Sequence, residues 1–358
     1  MKNWKDYIVA ILLSPITFLY WLAVVIRHLL YDKGLMKSQS FSLPIICIGN
    51  ITVGGTGKTP HVEYLIRLLK DETKLAVLSR GYKRKTSGYL RATIDNTSEE
   101  IGDEPRQLKQ KFPAIEVAVD ENRVTGVTQL LKQVDDLKVI LLDDAFQHRR
   151  IKPGLNILLI DYNRPILNDI MLPAGRLRDT VKQRKRADLI IISKCPSNFH
   201  KEERADWERK YGSSTYQKVF FTYMAYEELI PIFSSQKSIS LSLIKDQKIS
   251  VLLVSGIANP KSLKEMLSEY SDNVVLLDFP DHHAFSLKDI SKIYDTYNAM
   301  KSLGKIIVTT EKDATRLQPF YKEIEKLYLP VYTIPIKVDF LFNGRGQFDN
   351  LIKGFCQQ

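Results

Sequence analysis

The strongest constraint on the fold is a glycine-rich stretch, GNITVGGTGKTP (residues 49–60), which lies between two regular segments. Residues 44–48 form a short apolar run that predicts a buried strand, and residues 61–70 predict a helix. Glycines allow backbone N–H groups to turn towards an anion, and the N-terminus of the following helix points to the same place. A strand, a loop that ends in Gly-Lys-Thr and a helix therefore predict a phosphate-binding P-loop.

The residues of this loop are the predicted contacts of ATP. We expect Lys58 to reach the β- and γ-phosphates and the Thr59 hydroxyl to bind Mg²⁺. The usual pattern has a glycine five residues before Gly57, where this chain has Thr52, and two additional glycines follow that threonine. The alternative is a Gly/Thr-rich turn that binds nothing. The predicted nucleotide-binding residues are Thr52, Val53, Gly54, Gly55, Thr56, Gly57, Lys58 and Thr59.

Length and composition narrow the class of protein. The chain has 358 residues, which predicts about two domains, and 44% of them are hydrophobic, enough for sizeable cores. A net charge of +11 points to an anionic partner, but the basic residues are dispersed and no nucleic-acid-binding motif is present. We expect a membrane surface or a phosphorylated substrate, with no nucleic acid and no obligate protein partner. Three scattered cysteines fit a reducing cytoplasm.

The N-terminal segment is strongly apolar. Residues 8–26 contain no charged side chain, and as a helix they are about 29 Å long, close to the thickness of the hydrocarbon core of a bilayer. This helix can span the membrane, lie in its interface or be buried in the protein core. Basic residues flank the run on both sides, so they indicate no orientation. We expect residues 1–35 to form a membrane-associated helix and leave spanning and interfacial placements open.

A second phosphate-site signal lies in the stretch VILLDDAFQH (residues 139–148). Apolar residues that end in aspartate are typical of a Walker B strand, whose carboxylate holds Mg²⁺ directly or through water. Asp143 and Asp144 are therefore predicted metal-site residues, and the sequence does not say which is nearer the ion. Gln147 follows them as a candidate contact of a substrate or a phosphate. The alternative is a strand that ends in a polar turn.

Three further stretches carry candidate site residues. Arg80 begins a basic loop after a predicted strand, so it either holds a phosphate or belongs to a solvated turn. Arg176 and Arg178, in LPAGRLRD, are suited to clamping a phosphate or a carboxylate, or they are surface arginines at a helix start. Asp103 precedes a predicted helix at 106–111 and is either its N-cap or a carboxylate base beside the phosphate loop.

The order of the elements predicts an α/β fold. Strands alternate with helices over residues 36–218, which indicates a P-loop NTPase-like, mostly parallel sheet with helices on both faces. A smaller α/β domain is expected over residues 227–330. Residues 219–226 and 331–342 are expected to pair as a two-stranded connector. The second domain contains two adjacent histidines, His282 and His283, which are candidates for a general base, a metal site or a polar turn.

Several of these stretches together resemble one family. They are, in chain order, GNITVGGTGKTP, SRGYKRK, GDEP, LLDDAFQHR, LPAGRLRD, FPDHHAF and TTEKDA. This ordered set is similar to that of the tetraacyldisaccharide 4′-kinases of lipid A biosynthesis. The resemblance extends from the N-terminal apolar helix to about residue 317, and the ordered set is much more specific than the glycine loop alone.

The resemblance implies an activity and a location. It implies transfer of the γ-phosphoryl group of ATP, with Mg²⁺, to the 4′-hydroxyl of a tetraacylated glucosamine disaccharide 1-phosphate. The enzyme would act at the cytoplasmic face of the inner membrane of a Gram-negative bacterium, in contact with inner-membrane lipids. Because the acyl chains keep the substrate in the membrane, the N-terminal helix would bring the enzyme to it.

The resemblance also implies roles for individual residues. Lys58 and Thr59 match the nucleotide and Mg²⁺ positions of the family, and Asp143 and Asp144 match its Walker B pair. Asp103 matches the catalytic carboxylate. His282 matches its partner, and we expect it to orient or tune Asp103 across a cleft between the two domains. Weaker correspondences are Asp179, His283 and Arg80.

Two other functions remain as alternatives. A similar loop occurs in membrane-recruited partition-type regulatory ATPases, but those carry a lysine before the double glycine, where this chain has Val53. The second is a small-molecule kinase or ligase of the same loop class.

Overall fold

The computed structural model describes residues 4–212, 216–233, 236–257, 259–281, 283–302 and 304–357, with side chains from residue 11 onwards. His282 lies outside the described residues. The chain divides into two compact units. Unit 1 comprises Met1–Met224 and Val338–Gln358, and unit 2 comprises Ala225–Lys337.

Unit 1 is built on a nine-stranded sheet in the order β14-β8-β7-β6-β1-β5-β2-β4-β3. The strands around β1 are parallel, and β3 pairs with β4 in the antiparallel direction. The strands are β1 Ile45–Gly49, β2 Leu75–Ser79, β3 Leu90–Arg91, β4 Glu116–Val119, β5 Val139–Asp143, β6 Leu155–Asp161, β7 Leu189–Ser193, β8 Lys218–Tyr226 and β14 Ile336–Phe340.

Helices cover both faces of this sheet. Alternate residues of β1 contribute to two separate cores, because neighbouring side chains of a strand point to opposite faces. One core includes residues of α1, α5 and α6, and the other includes residues of α2, α4 and α12. The helices are α1 Trp4–Asp32, α2 Lys58–Leu69, α3 Ser98–Ile101, α4 Asp103–Lys111, α5 Arg123–Gln133, α6 Lys201–Tyr211 and α12 Gly344–Cys356, with 3₁₀ turns at Ile166–Asn168 and Val181–Arg186.

Unit 2 is a smaller α/β unit with a five-stranded sheet in the order β11-β10-β12-β13-β9. Its strands are parallel except for β9, which pairs with β13 in the antiparallel direction. The elements are β9 Ile230–Pro231, α7 Leu241–Asp246, β10 Ser250–Ser255, α8 Lys261–Leu267, β11 Val274–Asp278, α9 Leu287–Ala299, β12 Lys305–Thr310, α10 Glu311–Leu317, α11 Tyr321–Lys326 and β13 Val331–Ile334, with a 3₁₀ turn at Gln318–Phe320.

The predicted α/β fold class is confirmed, and the predicted pairing of residues 219–226 with 331–342 is found for the second part of that segment, β14, but not for the first part, β13. β13 belongs to the sheet of unit 2, and β14 lies beside β8 at the edge of the nine-stranded sheet. Pro335 separates the two strands. A proline has no N–H group to contribute to a ladder, so the extended segment divides there between two sheets.

Candidate active site

The P-loop connects β1 to α2 in a conformation that requires glycine. Gly57 caps α2 with a φ of 82°, and Gly54 has a φ of 101°. A Cβ atom on Gly57 would lie 2.6 Å from the Cε atom of Met224, so a side chain at this position would clash as well as strain the backbone. The loop therefore presents backbone N–H groups at the N-terminus of α2, the arrangement that binds phosphate.

Buried polar side chains hold the loop in place. Asn50, which is fully buried, donates from Nδ2 to Thr56 Oγ1 at 2.9 Å. His61 is bonded through Nδ1 to the Gly57 carbonyl at 2.7 Å and through Nε2 to Thr222 Oγ1 at 3.0 Å. Because a carbonyl only accepts, Nδ1 carries the proton and Nε2 accepts from the threonine. Burial lowers the pKa of His61 to about 4, which keeps this bridge neutral.

The two cations of the site meet at Asp144. Lys58 Nζ lies 3.8 Å from Asp144 Oδ2, and Arg178 makes a two-pronged contact, with Nη1 3.0 Å from the same oxygen and Nη2 close to Oδ1. Burial alone would raise the pKa of Asp144, but Lys58 and Arg178 outweigh it and lower the pKa to about 2. Asp144 is therefore an ionised carboxylate that orients both cations.

Asp143 is the more buried of the two aspartates, with 2% of its surface exposed. Ser79 Oγ donates to Oδ2 at 3.2 Å, and among the described residues the buried Oδ1 has no hydrogen-bond partner. Burial, together with the charges of Glu104 and Asp144, raises the pKa of Asp143 to about 7. A cation at Oδ1 would offset these costs.

The donor set fits Mg²⁺. Magnesium is usually held by one or two carboxylates together with substrate phosphates and water, and less often by a complete protein cage. The paired carboxylates at the end of β5 meet this requirement, with the Thr59 hydroxyl in the first turn of α2 as a further oxygen. No group of three or more His, Cys, Asp or Glu side chains suited to a metal is found among the described residues.

The segment 172–179 lies alongside the P-loop through backbone hydrogen bonds. Val53 N donates to Arg176 O at 2.8 Å, and Arg178 N donates to Ile51 O at 2.9 Å. This pairing directs the Arg178 side chain towards Asp144, while the Arg176 side chain is exposed.

Gln147 and Asp179 support the loop and its neighbours. Gln147 Nε2 donates to Asn50 O at 2.8 Å. Asp179 is 1% exposed, and its Oδ1 lies 2.7 Å from Nε2 of the buried His28 in α1. Both side chains are thus engaged within the protein, and Asp179 connects the N-terminal helix to the segment that carries Arg178.

The loop at 79–85 packs against the start of α4. A Cβ atom on Gly102 would lie 3.1 Å from Tyr82 O and 3.2 Å from Gly81 Cα, so the two backbones approach as closely as glycine allows. Asp103 is the first residue of α4, and the charge of Glu104 beside it raises the pKa of Asp143.

Of the two roles considered for Asp103, the helix N-cap does not agree with the structure. The capping position belongs to Gly102, and α4 begins at Asp103 instead of residue 106. Pro105 is compatible with this earlier start because the first turn of a helix leaves its N–H groups without intrahelical partners.

Other predicted residues have different surroundings. Arg80 is exposed and directly follows β2, and its positive charge contributes to lowering the pKa values of Arg123 and His148. His283, in unit 2, stacks on Phe279 with 4.8 Å between the ring centroids, and its Nε2 lies 3.1 Å from Asp289 Oδ2. These contacts give His283 a packing role at the start of α9.

Sequence reasoning missed Asn50, Ser79 and Arg123. Arg123 is 1% exposed and donates from Nη2 to the Asp143 backbone carbonyl at 3.1 Å, which fixes the end of β5. Asn50 directly follows β1, Ser79 is the last residue of β2 and Arg123 begins α5, all at the carboxyl edge of the sheet. That position is the signal that would have identified them.

His148 makes stability depend on pH. Burial, together with the charges of Arg123, Arg80 and Arg27, lowers its pKa to about 4, and Asp144 opposes the shift. The folded state therefore disfavours the protonated imidazole, and the associated stability is present above the unfolded pKa of about 6.5 and is lost as pH falls towards 4. Between pH 7.5 and 4.5, we expect the free energy of unfolding of His148→Gln to fall by about 2 kcal/mol less than that of the wild type.

The measurement is the free energy of unfolding in urea at several pH values. His200, which is exposed, provides the control, since His200→Gln should leave the slope unchanged. Equal acid sensitivity of the wild type and His148→Gln would contradict the prediction.

The fold and the site define a class. The P-loop strand lies beside a strand that ends in two aspartates, and a lysine and an arginine contact the second of these aspartates. This arrangement in a parallel α/β sheet is the framework of a P-loop phosphotransferase.

Comparison with known proteins identifies the family. The model of the family described as Tetraacyldisaccharide-1-P 4′-kinase, LpxK, matches residues 9–357. The tetraacyldisaccharide 4′-kinase of Bacteroides thetaiotaomicron is 44% identical over 353 residues, covering 97% of this chain and 93% of the relative. That of Flavobacterium johnsoniae is 45% identical over 347 residues, covering 97% of each.

A solved structure is also similar. It is described as the "apo" form of LpxK from Aquifex aeolicus in complex with ATP, and it matches with a TM-score of 0.72 and 30% identity over 97% of this chain and 99% of that one. The chain therefore belongs to the tetraacyldisaccharide-1-P 4′-kinase family and is a kinase, which confirms the resemblance seen in its motifs.

Proposed function

We propose that this kinase transfers the γ-phosphoryl group of ATP to the 4′-hydroxyl of a tetraacyldisaccharide 1-phosphate, a lipid A precursor. The observation that carries the proposal is the contact of Lys58 and Arg178 with Asp144, next to the buried Oδ1 of Asp143, which has no hydrogen-bond partner in the part of the chain that the structure describes. This arrangement suits a polyphosphate and its metal ion, and family membership supports the acceptor.

The roles follow from position and charge. The P-loop backbone, residues 52–57, holds the phosphates of ATP, and Lys58 compensates charge on the group being transferred. Thr59, Asp143 and Asp144 hold Mg²⁺, which when bound neutralises charge on the phosphate oxygens. Arg178 orients Asp144 and adds a cation beside the transferred group.

Asp103 is the proposed base for the acceptor hydroxyl, with His282 as its partner. Two observations support Asp103: it is the first residue of α4, and the charge of its neighbour Glu104 raises the pKa of Asp143. The exposed Arg80 and Arg176 are proposed contacts for the acceptor phosphate. Gln147 and Asp179 position the loop through Asn50 and His28.

The N-terminal helix supports action at a membrane. Within the described residues, one helix is long and apolar enough to cross a bilayer, Ile11–Asp32. A stripe of α1 contacts unit 1: Thr17 Oγ1 accepts from Ala174 N at 3.2 Å, Tyr20 OH donates to Arg178 O at 3.0 Å, and His28 binds Asp179.

These contacts favour an interfacial placement over a spanning one. They hold α1 against unit 1 from residue 17 onwards, and residues 4–16 measure about 20 Å as a helix, shorter than the ~30 Å hydrocarbon core. The remaining face is apolar and exposed, at 72% for Leu12 and 63% for Leu19. We propose that α1 lies in the cytoplasmic surface of the inner membrane, in contact with its lipids.

This placement predicts the effect of one substitution. Leu19→Asn should weaken binding to anionic phospholipid vesicles about ten-fold, because a large apolar side chain no longer enters the lipid. Co-sedimentation with vesicles measures it. The control is Leu287→Asn in unit 2, since Leu287 is exposed to a similar extent, 59%. Equal binding by both variants would contradict the placement.

One assay separates the proposed function from its alternatives. Detergent-solubilised protein is incubated with γ-labelled ATP, Mg²⁺ and a membrane lipid extract. We expect the label in a lipid. A regulatory ATPase of the partition type would release free phosphate, and a soluble-substrate kinase or ligase would label a water-soluble product; either result would refute the proposal.

A further inference from the structure

Lys194, which follows β7, reaches the P-loop from a strand two places away from β1. Its Nζ donates to Gly55 O and lies 3.0 Å from Asp161 Oδ2 at the end of β6. The side chain therefore extends across the carboxyl ends of the strands, from β7 over β6 to the loop after β1. Its backbone has a φ of 58°, a conformation that is uncommon for lysine and is often found at functional sites.

The preceding residue makes a parallel contact. Ser193, which is fully buried, donates from Oγ to Thr56 O at 2.8 Å. Ser193, the last residue of β7, and Lys194, which follows it, thus bind two consecutive carbonyls of the P-loop. Asp161, which is 4% exposed, forms an ion pair with the ammonium group of Lys194. Buried groups therefore fix the position of Lys194.

The location of Lys194 indicates which part of a nucleotide it would meet. The Walker aspartates lie on the β5 side of β1, together with the Lys58 ammonium. A γ-phosphate on that side places the nucleoside on the opposite side of the loop, above β6 and β7. Lys194 lies there, with 34% of its side chain exposed.

We propose that Lys194 is a nucleoside-side binding residue of this kinase. Its ammonium group holds the tip of the P-loop through Gly55 and Asp161, and its methylene stem forms an apolar ledge for the base or ribose. This inference rests on the proposed use of ATP and adds a residue to that same site.

Two variants separate the ammonium from the stem. Lys194→Met removes the ammonium and keeps most of the stem, whereas Lys194→Ala removes both. The dissociation constants of Mg-ATP and of Mg-tripolyphosphate, which has no nucleoside, are measured by calorimetry. We expect both substitutions to weaken the binding of tripolyphosphate to the same extent. The alanine variant should bind ATP about ten-fold more weakly than the methionine variant.

The control is Lys353, whose side chain is also 34% exposed and is paired with Glu72. Lys353→Ala should leave both dissociation constants unchanged. The wild type provides a readout that does not depend on the folding of a variant: ATP should protect Lys194 from reductive methylation more than tripolyphosphate does.

Several outcomes would overturn the inference. They are an equal loss of ATP affinity in the alanine and methionine variants, unchanged ATP affinity in both, and equal protection of Lys194 from methylation by ATP and by tripolyphosphate. Each leaves the proposed function intact if the wild type still phosphorylates the lipid. Conversely, if the wild type binds ATP as described but does not phosphorylate the lipid, the proposed function fails and this inference stands.

Discussion

Replacing Lys58 with methionine is expected to lower kcat on the order of a thousand-fold. Phosphoryl transfer depends on positioning and on charge compensation at the transferring oxygens. The Lys58 ammonium, 14% exposed and held 3.8 Å from Asp144 Oδ2, is placed to supply that charge. The measurement is the steady-state rate at saturating ATP and acceptor.

The fold should survive this substitution. Asp144 keeps its two-pronged contact with Arg178, so this carboxylate is not left without a cation. We therefore expect a melting temperature within a few degrees of the wild type. Lys70→Met, at the other end of α2 and paired with Asp71, is the matched control and should keep full activity. A Lys58→Met enzyme with a tenth or more of the wild-type kcat would contradict the assigned role.

The second large effect is expected at Asp103. Asp103→Asn should lower kcat by about 10²- to 10⁴-fold with little change in KM for ATP, because the carboxylate is proposed to accept the proton of the acceptor hydroxyl. A helix-dipole contribution from an aspartate in the first turn is only about 0.3–1 kcal/mol, so stability should change little. Turnover and nucleotide affinity are measured on the same preparation.

Glu104→Gln is the control for position and charge. Glu104 lies in the same helical turn and raises the pKa of Asp143, so its neutralisation changes the local field without removing the proposed base. We expect less than a ten-fold loss of kcat. Near-normal turnover of Asp103→Asn would exclude the base, and a loss confined to ATP affinity would indicate that Asp103 supports the nucleotide site.

The predictable parts of this protein are those coded by local patterns. A buried apolar strand before GGTGKT and a second apolar strand before Asp143 and Asp144 predicted the nucleotide site, because both motifs need specific residue types at fixed spacing. Strands alternating with helices predicted the parallel sheet. The ordered motifs predicted the family, which the comparisons confirm.

The parts that escaped prediction depend on contacts between distant segments. Asn50 meets Arg178, which lies 128 positions further along the chain, and no local pattern indicates that pairing. Helix α12 contains three glycines, which disfavour a helix, yet the burial of Phe348 and Ile352 stabilises it. The sequence showed that α1 was apolar, but only its contacts with unit 1 favour an interfacial placement.

The central claim is that an ATP site on unit 1 phosphorylates one hydroxyl of a lipid-linked sugar. The most direct test uses purified protein, Mg-ATP and a tetraacyldisaccharide 1-phosphate in detergent, followed by mass spectrometry and ³¹P NMR of the lipid product. We predict one added phosphoryl group, present as a phosphomonoester on the 4′-oxygen. A pyrophosphate at the 1-position, a phosphate on another hydroxyl, or unchanged lipid with free phosphate released would contradict the account.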